Sequence, residues 1–131
     1  MKEEKFKVIN FIRELVIYID KYLENFPRKD IELKNRIKNL SYDMLELAYQ
    51  ANISNENENK VNYINDIIAK VKVIDFLFNL CYDKQIINMK RYTKFGEKLD
   101  DILKYSIGWL KASSNNWLGH GCSGLRLLVS T

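Results

Sequence analysis

Of 131 residues, one is proline, one is histidine, two are cysteine and five are glycine. Each scarcity excludes something. Cys81 and Cys122 do not make a disulfide framework, and no CxxC pair is present. His120 and Cys122 form a two-ligand fragment with no second His/Cys pair, whereas a zinc site takes three or four protein ligands. The lone histidine also excludes the Glu-x-x-His repeats that hold carboxylate metal centres in helical bundles. No glycine-rich phosphate loop and no GxSxG elbow occurs. The expectation is therefore a protein with no catalytic residues, no metal and no cofactor. Apolar runs all fall short of the ~18 residues of a membrane span. The start, MKEEKFKV, mixes charges of both signs without an apolar core, so no secretory signal is read and a cytoplasmic protein is expected.

What the chain does contain is helical periodicity. A hydrophobic fraction of 47% and a charged fraction of 29% suit a folded domain. A chain of this length buries roughly two-thirds of its unfolded surface. Val8, Phe11/Ile12, Leu15, Ile19, Tyr22 and Phe26 recur at three- and four-residue steps, one buried stripe. Pro27 cannot continue that helix but can open the next one in its first turn, where Asp30 and Glu32 suit the helix dipole. A second helix buries Leu33, Ile37, Leu40, Met44, Leu47/Ala48 and Ala51, and ends at the polar run 54–59. The third spans 60–82, with Ile64, Ile67/Ile68, Val71, Ile74, Phe78 and Cys81 inward; its length and the charges at Asp66, Lys70, Lys72 and Asp75 favour helix over strand. The fourth carries Tyr92, Phe95, Leu99, Ile102/Leu103, Ile107 and Leu110. Four such helices with short links predict an all-α, antiparallel up-down four-helix bundle over residues 1–112. Residues 113–131, rich in Gly, Ser and Asn, read as a separate tail, flexible or docked.

The net charge is +4, and its distribution matters more than its sum. Arg28, Lys29, Lys34, Arg36 and Lys38 oppose only Asp30 and Glu32 across residues 28–39. Between 84 and 104, Lys90, Arg91, Lys94 and Lys98 repeat at helical spacing on the side away from Tyr92, Leu99 and Leu103. Such stripes can neutralise phosphates in a salt-dependent, sequence-independent way. The plain alternative is a solvated helix face, since Glu97, Asp100 and Asp101 interrupt the second run. Trp109, beside a helical Gly108 and at the margin of the apolar stripe, is a candidate oligomer-interface anchor; packing inside the bundle is the alternative.

Four stretches stand in order along residues 8–112: YLENFPRKD, NRIKNLSYDMLELAYQANIS, NLCYDKQIINMKRY and KLDDILKYSIGWLKA. Together they resemble the accessory variability determinant (Avd) proteins of diversity-generating retroelements. That resemblance implies a four-helix bundle assembled into a basic homopentameric barrel. It implies binding to the element's reverse transcriptase and to template-repeat RNA and cDNA, in support of mutagenic copying, with the chemistry left to the polymerase. On this basis Arg28, Lys29, Lys34, Arg36, Lys38, Lys70, Lys72, Lys90, Arg91, Lys94 and Lys98 are the expected nucleic-acid or partner contacts. The chain departs from the family pattern at Asp75 and Asn79, where relatives tend to carry arginine.

Overall fold

A computed structural model describes residues 2–115. They form four helices: α1 (Lys2–Tyr22), α2 (Ile31–Ile53), α3 (Asn57–Asp83) and α4 (Met89–Asn115). A 3-10 turn at Arg28–Asp30 precedes α2, and no strand occurs among the described residues. α1 packs on α2 and α4, and α3 packs on the same two, so α1 and α3 stand diagonally across an antiparallel bundle. The expected architecture is thus present in the protomer.

The stripes meet in one core. Ile12, Leu15, Ile37, Met44, Ile64, Ile74, Phe78, Phe95 and Ile102 are completely buried. Phe11, Tyr22, Phe26, Leu33 and Leu47, expected inside, pack only at its edge. Leu23, one residue past the end of α1, is buried and donates its N–H to the Ile19 carbonyl at 3.0 Å.

Pro27 does not enter α2. At φ −59° and ψ 144° it is extended, and its carbonyl accepts the Asp30 N–H at 3.0 Å, closing the 3-10 turn. Asp30 then sits at the N-cap of α2 without a side-chain cap bond. Its buried carboxylate instead meets Lys84 Nζ at 3.2 Å. One ion pair therefore ties the α1–α2 connection to the α3–α4 connection at the same end of the bundle.

That second connection ends α3 with Gln85 at φ 63°, a left-handed position that glycine normally fills. The Ile86 N–H reaches back to the Cys81 carbonyl at 2.8 Å, completing the helix-terminating motif. Asn88 then caps α4, its Oδ1 accepting the Arg91 N–H at 2.9 Å.

Two further boundaries differ from the sequence reading. α3 begins at Asn57 rather than Lys60, because the Glu56 carbonyl accepts the Lys60 N–H at 3.0 Å and its carboxylate accepts Asn59 Nδ2 at 3.2 Å. The polar residues 57–59 are thus a first helical turn. α4 runs past Ala112 to Asn115, with Ser113 and Ser114 buried and Ser114 Oγ donating to the Lys111 carbonyl at 3.1 Å. The rest of the tail, including His120 and Cys122, lies outside the described residues.

Trp109 is a correction. It is 1% exposed, the largest of the fully buried side chains, and offers no surface to a partner. Its position explains this: Leu99, Ile102, Ser106 and Trp109 advance by three and four residues, so Trp109 lies on the core face rather than its margin. Cys81 is buried as expected, and burial, followed by the Asp30 charge, pushes its thiol up to about 12.

Candidate nucleic-acid interface

Arg91 and Lys98 of α4 are partly covered rather than projecting freely into solvent. Their side of the helix faces α1, and α1 presents tyrosines there. Arg91 Nη1 donates to Tyr18 Oη at 2.7 Å, and its guanidinium lies 3.6 Å from the centre of the Tyr22 ring. Lys98 Nζ stands 4.9 Å over the Tyr18 ring and 4.0 Å from a Glu14 carboxylate oxygen. Lower on the same seam, Lys7 lies 4.8 Å and Lys104 5.4 Å over Tyr105. Lys21 covers Tyr22 from the other side at 5.2 Å.

Sequence spacing builds this seam. Arg91, Lys98 and Tyr105 are seven residues apart on α4, as are Phe11 and Tyr18 on α1, so each set stays on one helix flank. Phe95 forms the floor, stacked on Phe78 at 4.1 Å and edge-on to Tyr18 at 5.1 Å. Phe11 supports Tyr105 at 5.5 Å. The tyrosine bodies are thereby held in the core while the rims stay wet. A cleft of about 570 Å³ opens here, lined by Tyr18, Tyr22, Lys90, Arg91, Thr93, Lys94 and one acid, Glu97.

The electrostatics agree with the geometry. The Tyr22 hydroxyl is pushed below its ordinary value by the hydrogen bond and charge of Lys21, with Arg91 adding to it. The Tyr18 hydrogen bond raises Arg91 further, fixing its charge at any working pH. Among the described residues, no carboxylate pairs with Arg91; it is held by phenols. An arginine oriented by tyrosines rather than neutralised by an acid keeps its full charge for an anion.

The remaining sequence candidates are scattered. Arg28 and Lys29 are exposed on the 3-10 turn, at the same end of the bundle as Lys90 and Arg91. Lys34 is half-buried and donates to the Glu24 carbonyl at 3.4 Å. Arg36 is exposed, and Lys38 lies 3.8 Å from Asp20. Lys94 is exposed, 3.9 Å from Glu97. Lys70 and Lys72 belong to α3, diagonal to α1, and so do not join the α1–α4 seam. On α3, Asn79 accepts the Tyr92 hydroxyl, and Tyr92 stacks on Tyr82 at 4.8 Å, so that position serves the α3–α4 contact.

Sequence reasoning found the cations and missed their partners. Tyr18 and Tyr22, four residues apart with Lys21 between them, carry the signal, but Tyr22 belongs to the apolar stripe and Tyr18 falls outside it, so the spacing does not single them out as a pair. No group of His, Cys, Asp and Glu among the described residues could hold a metal ion, and no described helix is long and apolar enough to cross a membrane. Compared with family models, with curated proteins and with solved structures, the chain finds no match in any of the three.

Proposed function

We propose that this protein is a non-enzymatic accessory subunit of a diversity-generating retroelement, binding nucleic acid and the element's reverse transcriptase through its basic surface in support of mutagenic reverse transcription. The observation that carries the nucleic-acid part is the α1–α4 seam, where Arg91 is held by tyrosines alone and Lys94 and Lys98 stand beside the same rings, each also near one carboxylate, Glu97 and Glu14. The element, the polymerase partner and a homopentameric assembly rest on the resemblance of the four ordered stretches to the Avd family.

The test is RNA affinity as a function of salt, in the intact protein and in an Arg91→Glu, Lys94→Glu, Lys98→Glu triple variant. Neutralised phosphates release counterions, so affinity falls steeply as salt rises. The triple variant binds at least about tenfold more weakly and shows a flatter salt dependence, by about 0.7 per lost contact on a single strand. Unchanged affinity in a folded triple variant removes the seam from the function.

A second reading is a homo-oligomeric bundle that serves only as an interaction module, with no nucleic-acid role. It is favoured by exposed apolar side chains aligned on α2: Ile31, Tyr42, Tyr49 and Ile53. An oligomer that persists without shifting any RNA at low salt selects it.

A further inference from the structure

We infer that the α1–α4 seam takes single-stranded rather than duplex nucleic acid, with bases stacking where lysines now rest on tyrosine rings. This rests on the nucleic-acid reading above and names the kind of strand the seam recognises.

Three stations recur along the α1–α4 seam: Arg91 over Tyr22 at 3.6 Å, Lys98 over Tyr18 at 4.9 Å and Lys7 over Tyr105 at 4.8 Å. From Arg91 to Tyr105 is fourteen residues of α4, about 21 Å at 1.5 Å per residue. All three tyrosines are half-buried, so each ring is fixed by the core below and open at its rim.

The two kinds of contact differ in strength. A base stacked on an aromatic platform is held more strongly than a cation resting over an aromatic ring at an exposed site. A base therefore displaces the lysine. The displaced ammonium, on its flexible four-carbon stem, stays within reach of the adjoining phosphate as a point charge. Ring and cation that now satisfy each other would then each hold a different part of the same nucleotide.

Arg91 behaves otherwise, because its hydrogen bond to Tyr18 at 2.7 Å anchors it. It stays in place and offers the outer face of its guanidinium plane as a stacking surface. A duplex uses none of this. Its bases are already stacked on each other, and only its phosphates can touch the seam.

Fluorescence anisotropy at about 100 mM salt, where Debye screening is already strong, separates the cases. The probes are a 20-nucleotide RNA strand and the same strand annealed to its complement. The single strand binds at least tenfold more tightly. Tyr18→Leu with Tyr105→Leu, which keeps apolar volume but removes the π faces, lowers single-strand affinity at least tenfold and changes duplex affinity less than twofold. Tyr105→Phe, which keeps the ring and leaves the Tyr18–Arg91 bond intact, retains the single-strand value of the unmodified protein. Ultraviolet crosslinking of the unmodified protein to the single strand, mapped by mass spectrometry, places adducts on Tyr18, Tyr22 or Tyr105, and needs no variant to fold. Equal affinity for strand and duplex, or adducts confined to other residues, overturns the stacking seam. If the triple charge reversal still weakens both probes, the basic-surface reading survives that result. Binding to neither probe overturns both.

Discussion

Tyrosine lines two faces of this bundle in different company. On the α1–α4 seam, Tyr18, Tyr22 and Tyr105 are half-buried, and each has a lysine or arginine over its ring. On the outer face of α2, Tyr42 and Tyr49 are 46% and 43% exposed, in line with Ile31 and Ile53. Between residues 39 and 59 there is no Lys, Arg or His, and four carboxylates: Asp43, Glu46, Glu56 and Glu58. The phenols are chemically the same. Their setting makes one face attractive to a polyanion and the other repulsive to it, while the apolar row on α2 suits a protein surface. A count of tyrosines, or of net charge, would miss this division.

The seam also differs from outer surfaces in being built on the core, and this gives the largest expected effect. Phe95→Ala removes the ring that joins Phe78 to Tyr18, and should cost about 3–5 kcal/mol in urea unfolding. Phe76→Ala, on α3 at 60% exposure, should stay within about 0.5 kcal/mol. Similar losses at the two positions would show that the seam has no special footing in the core.

Next in size is the contrast in binding. Reversing Arg91, Lys94 and Lys98 should lower RNA affinity at least about tenfold, with the slope of log affinity against log salt flatter by about 2 for a single strand. Tyr42→Ser with Tyr49→Ser on α2 should leave RNA affinity within about twofold, since residues 39–59 around them hold no Lys, Arg or His to meet a phosphate. An equal loss from the α2 pair would break the division of labour between the faces.

These comparisons show what was legible beforehand. The bundle was legible because each stripe repeats at helical spacing, and a face of that kind must be covered by another helix. For Trp109 the sequence leaves two readings, an interface anchor at the margin of the stripe or packing inside the bundle; the three-four advance from Leu99 through Ile102 and Ser106 places it inside. The start of α3 lies earlier than composition suggests because Asn57 and Glu58 look like loop, whereas the Glu56 carbonyl already accepts the first helical bond and its carboxylate holds the Asn59 side chain. The Asp30–Lys84 pair and the Arg91–Tyr18 bond join residues 54 and 73 positions apart, and a periodicity within one helix carries no information about which partner lies opposite.

A smaller effect separates the seam's geometry from its helix. Gly96 lies inside α4 next to Phe95, and a Cβ built there meets no atom within 4 Å. Gly96→Ala should therefore stabilise the protein by about 0.5–1 kcal/mol through helix propensity. It should leave RNA affinity unchanged, because no atom of the seam has to move. A loss of affinity with a gain in stability would mean that the seam needs a helix able to flex at this point.

The smallest expected effect is electrostatic and lies on the other flank of α4. Asp75 on α3 has its carboxyl raised above the ordinary range, first by partial burial and then by the charge of Asp100 on α4. The folded state then holds a proton that the unfolded state, with a pKa near about 3.9, has already released. Stability contributed at this position falls as pH rises from the ordinary carboxylate range through the raised one, and remains lower above it. Asp75→Asn should accordingly raise the urea midpoint at neutral pH. Near pH 3, where the carboxyl is protonated whether the chain is folded or not, the gain should vanish. A midpoint shift of the same size at both pH values would assign the effect to packing. A pH-dependent gain would show that the folded state disfavours the ionised Asp75 carboxylate, through its partial burial first and the Asp100 charge on α4 second.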